Sequence, residues 1–269
     1  MSGDRQLDLF AGAGERPEQT MVPAVRRARL VAPELDDGAL VAAIPSASLG
    51  DCRGLAAEAG RRRLGAAIPA LEALCRRFCG FGIDQEIPEQ IAALDALAMI
   101  GGRQAAQAVT RTIVEQVVQG PGLKSAVAAA AQLGASLPSG VTASLLCRPE
   151  PEIRANTCRC AGRSPATVPL LVGLLDDRDR VVAQEAACAL GRMGRREARP
   201  LLLRLLREQP TAAVIDAASS VADEECLVVM GRIAHREQDL ADAALAALES
   251  NGSPRAMAIA AAARRLRGA

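Results

Sequence analysis

The feature that most constrains this chain is a recurrence. Pro169-Leu170-Leu171 leading to Leu174-Leu175 returns 31 residues later as Pro200-Leu201-Leu202 leading to Leu205-Leu206, and an earlier copy runs from Pro69-Ala70-Leu71 to Leu74. A second landmark keeps the same step. Ala96-Leu97-Ala98-Met99-Ile100-Gly101 resembles Ala189-Leu190-Gly191-Arg192-Met193-Gly194, and the 93 residues between the two glycines are three periods of 31. Gly134 and Gly162 fall near the intervening marks. A unit of this length cannot bury its apolar face alone, so neighbouring units must stack around a continuous core. From about Leu40 onward apolar residues recur at helical spacing, punctuated by Gly, Pro and Asp, with no strand-like alternation. The expected fold is all-α: an α-solenoid of about six or seven antiparallel helix pairs over residues 41–269. Residues 1–40 collect Gly12, Gly14, Pro17, Pro23 and Pro33 without helical periodicity and are expected to form a flexible tail.

Each unit has a physical logic. Proline in the first turn of the second helix gives up an N–H that has no partner there, and glycine after the first helix accepts a left-handed conformation. Alanine lets helices approach closely. Composition then removes function classes. Trp and Tyr are absent and the only aromatics are Phe10, Phe78 and Phe81, so aromatic stacking platforms for single strands and aromatic cofactor boxes are excluded. No cofactor is expected. A net charge of +1 from 32 basic and 31 acidic residues gives no global attraction to nucleic acid or anionic membrane.

The eight cysteines contain no C-x-x-C pair and His235 is the lone histidine, so a metal site is not expected. Most of the thiols are expected to be small buried hydrophobes in a reducing cytosol. Cys226 follows Asp223-Glu224-Glu225, whose charges disfavour its thiolate. Asp4, Arg5, Asp8 and Glu15 interrupt any signal-peptide core, so a cytoplasmic location is expected. The longest uncharged stretch, Ser125 to Cys147, is broken by Gly134, Pro138 and Gly140 and reads as two short buried helices around a turn.

The repeat units resemble HEAT repeats of the short bacterial type. The clearest runs Asp176-Asp177-Arg178-Asp179-Arg180-Val181, then Ala186-Ala187, Leu190-Gly191, Met193-Gly194, Ala198, Pro200-Leu201 and Leu205-Leu206; a second begins Pro149-Glu150-Pro151-Glu152-Ile153-Arg154. The family often places Arg or Lys where Arg154 stands, but Val182 and Ile215 take that place in the next two units. The resemblance covers roughly residues 60–269, most firmly 150–210. It implies a binding surface more often than an enzyme.

Inside the tail, Gln6-Leu7-Asp8-Leu9-Phe10 is similar at all five positions to the pentapeptide by which bacterial replication and repair proteins dock on the sliding clamp. Leu9 and Phe10 suit a hydrophobic cleft, Leu7 is a smaller anchor, the Gln6 amide suits backbone partners at the rim, and Asp8 stays solvated. Arg61-Arg62-Arg63 and Arg76-Arg77 form a basic cluster that can follow DNA phosphates, as in HEAT-like alkylpurine DNA glycosylases, or contact an acidic partner. A second group around Arg192 to Arg207 is explained as well by pairing with Glu185, Glu197 and Glu208. Glycosylases of this fold use Trp or Tyr around the base, which this chain lacks; the HEAT-like bilin lyases share only the repeat. The sequence therefore points to a non-enzymatic adaptor recruited to the sliding clamp by its tail, in DNA replication, repair or mobile-element maintenance, with an unknown protein partner on the solenoid's concave face. The alternatives are a HEAT-like enzyme or enzyme accessory of DNA-base or bilin lyase type, and a scaffold unconnected with DNA.

Overall fold

The computed structural model describes residues 32–267. Among these residues the architecture is helical throughout, the one exception being an isolated bridge between Leu137 and Ala161. A short helix α1 (Asp37–Ala43) precedes seven successive pairs: α2 (Leu49–Arg61) with α3 (Ile68–Arg77), α4 (Pro88–Ile100) with α5 (Gly102–Val114), α6 (Leu123–Gln132) with α7 (Ser139–Leu146), α8 (Pro151–Cys160) with α9 (Val168–Gly173), α10 (Arg180–Arg192) with α11 (Arg199–Glu208), α12 (Ala212–Ser219) with α13 (Glu224–Arg236), and α14 (Ala241–Asn251) with α15 (Pro254–Arg267). The even-numbered helices pack each on the next from α2 to α14 and make one unbroken layer. The odd-numbered helices form the second layer, which is looser: α3 packs on α5 and α13 on both α11 and α15, whereas α5 and α7, and again α9 and α11, make little contact. This is the expected α-solenoid, with Ser125 to Cys147 forming the two short helices α6 and α7.

The local signals act as expected, with informative exceptions. Pro69, Pro169 and Pro200 sit in the first turns of the odd helices α3, α9 and α11, but Pro88 and Pro151 also open even ones. Gly101, Gly134, Gly194 and Gly252 take positive φ where α4, α6, α10 and α14 end. Gly162 does not, and after α2 the left-handed position is filled by Arg63 at φ 53°. The folded body starts ahead of residue 41: the Asp36 carboxylate accepts from the Ala39 N–H at 2.8 Å and caps α1. Pro33 and Gly38 break the apolar pattern there, so periodicity alone placed the start too late.

Packing, more than capping, holds the stack. Leu71, Leu97, Leu190 and Leu202 are fully enclosed, each worth about 1.5–3 kcal/mol of burial against about 1 kcal/mol for a side-chain cap. The buried side chains form two clusters that meet at α8. Ile153 and Cys160 face the cluster that extends back to Ala32, and Cys158 faces the one that extends forward to Ala263.

Candidate protein-binding face

Gln6, Leu7, Asp8, Leu9 and Phe10 lie outside the described residues. The arginine cluster is visible, and the fold divides it. Arg61, Arg62 and Arg63 end α2 and Arg76 and Arg77 end α3; because consecutive helices run in opposite directions, the two groups occupy opposite edges, separated by the roughly 15 Å length of α3. Arg61 and Arg62 both bind Glu58, each at 2.6 Å, and these hydrogen bonds hold the Glu58 carboxyl down at about 2. Arg62 also pairs with Asp37 and donates to the carbonyls of Ala32, Pro33 and Leu35, so it ties the start of the body to α2. Arg76 pairs with Glu72 and Glu115, and Arg77 donates to the Ala47 carbonyl at 2.8 Å while lying over the Phe78 ring. Of the five, Arg63 alone makes no such contact among the described residues. The second arginine group meets its expected pairing only in part: Arg195 pairs with Glu197, but Arg199 takes Asp223 and Arg207 Glu225, Glu185 binds Arg159 from outside the group, and Arg192, Arg196, Arg204 and Glu208 make no ion pair among the described residues.

Besides a cavity of about 470 Å³ between α1 and the connection that carries Arg63, three cavities border the odd layer. A cavity of about 930 Å³ runs beside the first three turns of α5, lined by Arg103, Gln107, Thr110 and Arg111 and by the turn Leu133 to Ser136. A second, about 450 Å³, opens where α5 ends and α7 stands away from it, lined by Ile113, Val114, Leu123, Val141 and Leu145 with Gln116, Gln119, Ser144 and Arg148 at the polar positions. Two sequence choices create the gap. The α7 helix spans only 8 residues, and Gly140 and Ser144 present almost no side chain there. A third cavity of about 430 Å³ separates α9 from α11.

Gly120, one of the residues lining the second cavity, is approached by the backbone of the preceding connection. Phe81 and Ile83, 69% and 58% exposed, sit on the ten-residue connection between α3 and α4. That connection is seated firmly: a Cβ on Gly120 would fall 2.1 Å from the Ile83 carbonyl oxygen, so only glycine permits the approach. Gln90, 2% exposed, donates to the carbonyls of Cys75 and Val117 and locks the same corner. Sequence reasoning missed this region. The available signal was the 39 residues from Leu49 to Pro88, longer than the period, with Phe81 and Ile83 among glycines in the excess.

Groups that carry chemistry elsewhere are withdrawn into the core or paired. Burial pushes the thiols of Cys75, Cys158 and Cys160 up to about 12 and those of Cys188 and Cys226 up to about 11. For Cys226 burial outweighs the neighbouring acids, of which Asp223 caps α13 by accepting from the Cys226 amide. Cys79 and Cys147 are exposed. In the acidic turn singled out above, Asp179 caps α10 through the amides of Val181 and Val182, while Asp177 accepts both nitrogens of Arg154 at 2.9 Å. His235 is exposed at the end of α13. No described helix is long and apolar enough to cross a membrane.

Comparison with known proteins agrees with this architecture. Residues 139–222, spanning α7 to α12, match the family model for HEAT repeats. The complex of CpcE and CpcF of phycocyanin lyase from Nostoc sp. PCC7120 contains a chain with a similar fold: 17% identity, 91% of this chain and 100% of that one covered, TM-score 0.57. An engineered protein aligns at 18% identity over 86% of this chain and 78% of its own, with a TM-score of 0.50. No curated protein sequence matches this chain. At these identities the likeness is one of fold, and the fold is the HEAT-like α-solenoid.

Proposed function

We propose that this HEAT-repeat solenoid is a non-enzymatic protein-interaction adaptor, recruited to the bacterial sliding clamp by Gln6 to Phe10 and holding a second protein on its odd-helix face, in DNA replication, repair or mobile-element maintenance. The observation that carries the reading is the α5 trough: an open surface on which aliphatic side chains, among them the exposed Val114, alternate with arginine, amide and hydroxyl groups. Apolar patches with polar rims mark protein interaction sites. The engagement of Arg61, Arg62, Arg76 and Arg77 with acids and carbonyls inside the fold favours protein over DNA, since a phosphate contact needs a cation free to release counterions. The Nostoc likeness supplies the second reading, a lyase component, supported by fold alone.

The test is a titration of purified bacterial sliding clamp with the full chain and with the Leu9→Ala, Phe10→Ala double variant. Saturable binding in the micromolar range, lost in the variant, is expected of a lone docking peptide. Equal or absent binding by both proteins overturns the clamp assignment and leaves the solenoid surface to account for function alone.

A further inference from the structure

The trough along α5 has a chemical polarity that narrows its occupant. Its two cavities follow one another along the helix, and every charged side chain lining them is an arginine: Arg103 and Arg111 in the first, Arg148 in the second, with no carboxylate in either. Arg111 is answered by Glu72 and Arg148 by Glu150, both outside the lining, whereas Arg103 makes no ion pair among the described residues. The far end gathers the aliphatic side chains Ile113, Leu123, Val141 and Leu145 beside its polar ones, and Val114 is 42% exposed on its rim. An occupant complementary to both ends brings apolar side chains to one and negative charge to the other. The helices offer the length: α5 spans 13 residues, about 20 Å, enough for some six residues of extended chain or a little under four turns of helix.

We propose that this trough binds an acidic amphipathic segment of a partner protein, with aliphatic or aromatic side chains seated between α5 and α7 and a carboxylate on Arg103. The proposal rests on the reading of the chain as an interaction protein and names the chemistry of its partner. A basic segment is repelled by the uncompensated Arg103 and finds Glu72 and Glu150 already engaged by Arg111 and Arg148, and a purely apolar one leaves Arg103 without a partner.

The experiment selects dodecapeptides from a random phage-displayed library on the full-length protein, in parallel with the Gly140→Trp variant. A Cβ at position 140 meets nothing within 4 Å, so the side chain can start into the cleft without a clash at its root; Val114→Asp, on the exposed rim, is the second blocking variant and needs no such room. Selected sequences that combine Asp or Glu with Leu, Ile or Phe are expected, enriched on the wild-type protein and lost on both blocked variants. In fluorescence anisotropy the leading peptide is expected to bind Arg103→Glu about fivefold more weakly. The Leu9→Ala, Phe10→Ala variant is expected to bind it as the wild type does, which separates the trough from the tail: failure of one leaves the other standing. Basic or uncharged consensus sequences, enrichment that survives both blocking variants, or no enrichment at all overturn the proposal.

Discussion

The two halves of the solenoid are assembled by different means. From α8 onward, units begin every 29 to 32 residues, and helix starts are set locally: Asp179, Thr211 and Asp223 each accept backbone amides two or three residues ahead and cap α10, α12 and α13. Before α8, 39 residues separate the starts of α2 and α4 and 35 those of α4 and α6. There, only α1 has a side-chain cap, and the irregular connections are pinned from a distance. Arg62 reaches the carbonyls of Ala32, Pro33 and Leu35, Arg77 that of Ala47, and Gln90 those of Cys75 and Val117. Glu72 adds a bridge between α3 and α5 through Arg111 at 2.5 Å, which holds its carboxyl below the usual range. The regular half has distant bonds too, Arg163 to the Arg192 carbonyl and Asn251 to that of Ser219, but adds them to side-chain caps, whereas the enlarged repeats rely on the staples, and that half carries the trough.

That contrast can be broken most sharply at Gly120. Gly120→Val places a side chain against the Ile83 and Gly82 carbonyls at a backbone φ of 54°, and a loss of about 3 kcal/mol or more is expected in urea unfolding. Hydrogen exchange should localise the loosening to the 78–120 region and leave α10 to α13 unaffected. Next comes Gln90→Leu, which strands the Val117 carbonyl and leaves that of Cys75 only the Phe78 amide, and is expected to cost about 1–3 kcal/mol by the same measurement. On the regular side, Asp179→Ala removes two amide contacts and is expected to cost only about 1 kcal/mol, with fraying of the first turn of α10 visible in exchange. The smallest effect runs the other way. Arg63→Gly relieves a left-handed arginine and is expected to stabilise by about 0.5 kcal/mol, seen as a modest rise in Tm, because the glycine's chain entropy offsets part of the relief. A loss of stability there would show that Arg63 has a role beyond its backbone position.

The regular half was the legible one. The Pro-Leu-Leu and Ala-Leu-Gly landmarks of residues 169–206 are turn and packing signals that recur at a fixed step, so the helix pairs and their prolines could be read directly. The trough could not, because an unfilled space is a relation between helices: Gly140 and Ser144 look like ordinary small residues until α7 is found standing away from α5. The arginine cluster taught the reverse. Adjacent basic residues look like a surface for phosphates, yet Arg62 is a staple whose carbonyl partners lie 27 to 30 residues away, a distance no local pattern reports.

The two apolar clusters meet on α8, with Ile153 and Cys160 turned one way and Cys158 the other. Beside it the odd layer is at its thinnest, since α7 spans 8 residues and α9 only 6. In mechanical terms the even layer is a continuous strut through α6, α8 and α10, while the odd layer beside it offers only the slight contact of α7 with α9. A load applied to the enlarged half by whatever fills its trough is therefore passed to the regular half chiefly through α8.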